Sequence, residues 1–146
     1  MISPICLCAP VSAKALSGLL ESGASNQGAY KDAHPWLIAR KLWQQSDSTM
    51  CIILAVDNVL QHYGEISAID VEELHRGSWV SRVQFGPLRA MNPIWETLDS
   101  VFLWPSAEQR EREQLEGLRS HRTALSAATL HPYAICETPE FMRTTP

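Results

Sequence analysis

Four cysteines carry the most versatile chemistry in this chain: Cys6 and Cys8 in "ICLCAP", Cys51 in "MCIILAV" and Cys136 in "PYAICE". Thiolates bind zinc, close disulfides or attack electrophiles, and each use makes its own demand on spacing. Structural zinc sites usually place paired cysteines about two to four residues apart, with a turn between them. Cys6 and Cys8 are separated by one residue in what reads as a strand, where the chain advances about 3.3 Å per residue. Their side chains then share a face, yet their β-carbons stay too far apart to chelate without a kink. Cys51 and Cys136 fall in other predicted strands, with no histidine at ligand spacing beside them. Packing as small hydrophobes is therefore the expected role, and no metal or cofactor is expected.

The other groups able to do chemistry are scattered. His62 stands just ahead of Tyr63 and Glu65, where an imidazole could act as acid or base. It lacks a recognisable partner, and the chain holds no nucleophile elbow, phosphate loop or helical pair of metal-binding histidines. His34 and His131 each precede a proline and read as element boundaries. Asp70 and Glu72 share a strand face, with Glu73 next to them. Such carboxylates could take Mg²⁺, which normally borrows substrate phosphates as well. A solvated strand edge, guarded by charge against aggregation, is the expected role.

One constellation suits recognition better than catalysis. "HRGSWVSRVQF" carries Arg76, Trp79 and Arg82, and "VFLWP" adds Trp104. Tryptophan and arginine are enriched at binding hot spots. The competing assignment sends Trp79 to the core with Val83 and Phe85, leaving the arginines to cover the outside. The formal charge of −4 argues against loose, salt-driven binding to nucleic acid. Arginine outnumbers lysine nine to three, which favours planar recognition of carboxylates, phosphates or aromatic faces.

The elements that must position these residues follow from periodicity. "ISPICLCAPV" reads as a first strand, followed by a helix over 13–21 capped by Ser12. "ESGASNQGAYKD" is polar and small, and a flexible loop is expected near 22–32. A second helix should begin at "HPW", with Pro35 in its first turn and Trp36, Ala39, Leu42 and Trp43 along one flank. "MCIILAV" is continuously apolar, the mark of a central strand covered on both faces. Residues 63–85 read as a hairpin in which Ile66 and Ala68 fall out of phase with Ile69 and Val71. A bulge near Ala68 would restore the phase. "GP" at 86–87 ends that hairpin. A short helix at "NPIWETLD", a strand at "SVFLWP", a helix opened by the Ser106–Gln109 capping box and a last strand at "PYAICE" complete the order. The tail is expected to fray from about 139.

With 45% hydrophobic residues and 146 positions, the chain can bury an ordinary core. A single α+β domain over residues 1–146 is expected, its sheet mainly antiparallel, in a pattern that small barrels share, with two to four helices packed on it. No apolar run is long enough to span a bilayer and the first residues lack a basic signal-peptide start, so a soluble, cytoplasmic protein is expected. The order of elements resembles that of PUA-like barrels, which bind RNA or modified bases. That resemblance implies a nucleic-acid or nucleotide site, with Trp79 or Trp104 stacking a base and Arg76 or Arg82 meeting phosphate. The residue inventory itself favours a non-catalytic binding or regulatory protein, of the kind carried on mobile elements, that meets a protein partner or a second copy of itself. A small hydrolase or transferase using His62 has the least support.

Overall fold

The structure, a computed structural model, describes residues 2–22, 26–32, 36–76, 78–90, 96–104, 124–126, 133–139 and 142. Its elements are β1 (Ile5–Pro10), α1 (Ala13–Ser22), β2 (Asn26–Asp32), α2 (Leu37–Gln45), β3 (Cys51–Val56), β4 (Val59–His75), β5 (Ser78–Phe85), β6 (Arg89–Ala90), β7 (Glu96–Thr97), a single 3-10 turn (Leu98–Ser100) and β8 (Ala134–Glu137). The strand order is β2-β5-β4-β3-β1-β8, with β6 and β7 also on β4, and the sheet curls into a half-barrel.

The α+β reading holds at this level, but the sheet is mixed. β1 and β3 run parallel, with Leu7 opposite Ile52 and Cys8 opposite Ile53, whereas the other strand pairings are antiparallel. Two helices intervene between β1 and β3, enough chain for the crossover that a parallel pair needs. The continuous apolar run of β3 has its explanation here, because all six of its residues are buried. Side chains of β1 and β3 alternate between two cores. Leu7, Ala9, Ile52, Leu54 and Val56 meet Leu16 of α1, Trp36 just ahead of α2 and Ala39 within it. Cys6, Cys8, Cys51, Ile53 and Ala55 meet Leu98, Val101, Leu125, Cys136 and Met142 on the opposite face. Both helices thus lie on one side.

Local chemistry shapes each element. The Ser12 hydroxyl accepts a hydrogen bond from the Ala15 N–H at 3.0 Å, which caps α1 as expected. α2 is capped from outside its own segment. Trp36 precedes it without a side-chain cap of its own. Instead the Trp36 N–H donates to Ser81 Oγ of β5 at 3.0 Å, and the Ala39 N–H donates to the Tyr133 hydroxyl at 3.1 Å. Ser81 is a polar group buried to 1% exposure, and this bond accounts for its position. Trp36, fully buried, packs against Tyr133 in a tilted ring pair with centroids 4.3 Å apart.

β4 is the longest element. Seventeen residues would reach about 56 Å if straight at ~3.3 Å each, too long for a domain whose radius of gyration is about 15 Å. The strand instead changes partners midway, pairing with β3 through Glu65 and with β5 from Ile66 onward. At the change, Ile66 faces Phe85 while Ala68 faces Gln84, so Ser67 is an extra residue. That is the bulge the sequence phase demands, and it lets Ile66 and Ile69 enter the same core. Gly64 lies beside the crossing. A β-carbon there would come within 3.2 Å of Phe85 Cδ2 and 3.3 Å of the Gly86 carbonyl, so strands pack backbone to side chain without room for more.

The hairpin between β3 and β4 turns on Asp57 and Asn58, with φ of 49° and 67°. Two successive left-handed residues form the tight turn that matches strand twist, and Asn and Asp tolerate that region best. Replacing Asn58 by valine is expected to cost about 1–2 kcal/mol, because a branched β-carbon clashes in this conformation. Urea unfolding of the variant would measure it, and an unchanged midpoint would refute the turn.

Several expectations are corrected. The predicted flexible loop near 22–32 contains β2, an edge strand that pairs with β5 from Asn26–Phe85 to Asp32–Trp79. Its sequence lacks apolar alternation, so the ladder to β5 left no periodic signal to read. The short helix expected at "NPIWETLD" is instead extended at Glu96 and Thr97, which face Leu60 and Val59 of β4, followed by the 3-10 turn. Asn92 and Pro93 lie outside the described residues, as do His34, Pro35, His131 and the helix predicted after Ser106. "SVFLWP" contributes single bridges at Phe102 and Leu103 rather than a full strand. Of the tail expected to fray from about 139, residues 140, 141 and 143–146 lie outside the described residues, and Met142 is 3% exposed. Just before it, the Thr138 hydroxyl donates to the Ser3 carbonyl at 2.6 Å and its N–H to Pro4 at 2.9 Å.

Candidate functional site

The far half of the β4–β5 hairpin holds three of the four residues singled out for recognition. Arg76 is exposed in the connecting turn, and Trp79 is half-buried opposite Glu73. In β5 the side chains of Trp79, Ser81, Val83 and Phe85 fall on one face by strand alternation. Arg82 therefore points the other way. It stands opposite Asp70, and its Nη1 donates to Glu72 Oε2 at 2.9 Å. Both side chains of this ion pair are well exposed, at 37% and 57%. Such pairs contribute only about 0–1 kcal/mol, so Arg82→Ala should shift stability by no more than about 0.5 kcal/mol. Chemical denaturation would check this, and a loss above 1 kcal/mol would mean the pair supports the hairpin.

Trp104 is placed elsewhere. It follows the Leu103–Cys136 bridge, and its N–H donates to the Ile135 carbonyl at 3.0 Å, beside β8 at the opposite end of the strand order from β5. The hairpin thus joins Arg76, Trp79 and Arg82 in one element but divides Trp79 from Arg82 between its faces. Trp104 does not join them along the sheet.

Sequence patterns missed one residue of this surface. Leu74 is 42% exposed, at a register shift between the Glu73–Trp79 and His75–Ser78 pairs. The extra residue in the strand frees Leu74 from strict alternation. Three more apolar side chains are exposed: Ile38 at 64%, Leu20 at 45% and Leu37 at 43%. Leu37 and Ile38 were detectable, since both lie off the Trp36–Ala39–Leu42–Trp43 stripe of α2.

The four thiols converge, which spacing alone did not reveal. Parallel pairing of β1 with β3 brings Cys51 beside Cys6, and antiparallel pairing with β8 sets Cys136 directly opposite Cys6. The Cys6 thiol donates to the Cys51 carbonyl at 3.2 Å. All four are free thiols buried in one core. The Thr138–Pro4 bond fixes the phase of the β1–β8 ladder, so Cys6 and Cys136 occupy a hydrogen-bonded pair, the kind with Cα atoms about 5.5 Å apart. Burial raises the Cys6 thiol well above its usual range, and the neighbouring Cys136, Cys51 and Cys8 raise it further. Cys8 is likewise pushed far up, by burial and then by Cys136. Burial, reinforced by Glu65 and offset by Arg89, moves Cys51 up to about 11. Protonated, enclosed sulfur is a poor nucleophile and a poor ligand. Among the described residues, no three or more His, Cys, Asp or Glu side chains are grouped so as to hold a metal ion.

His62 lies near the start of β4, between Leu54 of β3 and Ala90 of β6. Partial burial lowers its pKa and favours the neutral imidazole. Of the carboxylates considered for a cation, Glu72 is engaged by Arg82. Among the described residues no helix is long and apolar enough to cross a membrane. The chain significantly matches no protein-family model, no curated protein and no solved structure.

Proposed function

We propose that this is a non-catalytic binding or regulatory protein that works through a protein surface, with the far half of the β4–β5 hairpin as its contact. The carrying observation is Leu74, 42% exposed at the register shift next to the Glu73–Trp79 pair, in the same hairpin end as the half-buried Trp79 and the exposed Arg76. An apolar anchor flanked by Trp and Arg has the make-up of a hot spot, where few side chains supply most of the binding energy. Four free thiols suit a reducing compartment, which supports a cytoplasmic setting.

The curl of the sheet favours a second reading, a PUA-like barrel that takes a nucleic acid or nucleotide on Trp79 or Trp104 with arginine on phosphate. Affinity purification of the full chain from the cells that make it separates the two. The first reading expects a protein held in stoichiometric amount, or self-association seen by light scattering. Either should be lost in Leu74→Asp and in Trp79→Ala while circular dichroism and the melting temperature show both variants folded. RNA or DNA that co-purifies and is shed as salt rises would overturn it in favour of the second.

A further inference from the structure

We draw no further inference here: the strongest candidate, the open groove between the end of α2 and the start of β3 lined by Trp43, Asp47, Met50 and Ile66, carries nothing because its walls mix apolar and polar loop side chains and nothing in the structure shows what covers it.

Discussion

Raising the pH from about 9 to about 11 is expected to erode the stability of this fold steeply. In an unfolded chain the thiols ionise near 9.0, whereas burial holds Cys51 protonated up to about 11 and Cys6 and Cys8 further still. Over that window the unfolded state sheds protons that the folded state keeps. Stability must then fall with rising pH, by about 1.4 kcal/mol per pH unit for each thiol affected. Below about pH 9 both states hold these protons and the contribution is complete. Unfolding free energies from urea titrations at stepped pH would show the slope. Cys51→Ala should flatten it by one thiol's share without changing its sign. A flat profile to pH 11 would mean that water reaches the sulfur layer.

Trp36→Ala should be the most damaging single substitution, at about 3–5 kcal/mol, since a fully buried indole leaves both its transfer energy and a cavity. More than area is lost. The backbone N–H of Trp36 keeps its bond to Ser81 of β5, but the indole packs against Tyr133, which in turn caps the Ala39 N–H. Removing the ring withdraws the surface on which Tyr133 rests. Trp36→Phe should recover part of the loss by restoring an aromatic face. Denaturant midpoints of the two variants provide the check, and a near-native midpoint for Trp36→Ala would show that α2 is held by other contacts.

Where the pattern was periodic, the sequence disclosed its structure. The run "CIILAV" announced a strand covered on both sides, and the phase break between Ile66 and Ile69 pointed to a bulge near Ala68, one residue from the extra Ser67. These signals are legible because burial acts on each side chain separately. Pairing between distant segments leaves no such local trace. β2 has no hydrophobic alternation and exists through its ladder to β5, and the parallel register that gathers Cys6 and Cys51 joins residues 45 positions apart. The Asp57–Asn58 turn was open to inspection, since two left-handed-tolerant residues between apolar runs mark a tight hairpin. For the candidate site, the odd spacing of Trp79 and Arg82 already implied opposite strand faces. The exposure of Leu74 did not follow, because it depends on a second register shift that only the cross-strand partner reveals.

The position of β8 governs how the molecule can be made. β1 lies between β3 and β8 in the completed sheet, yet β8 begins at Ala134 while β1 ends at Pro10. At about 5–20 residues per second, a ribosome needs roughly 6–25 s to pass from the first of these strands to the second. Throughout that interval one edge of β1, with Cys6 and Cys8 along it, has no neighbour from its own chain. Completion of the thiol layer is therefore a late event in biosynthesis, since Cys136 reaches Cys6 only when β8 has been made.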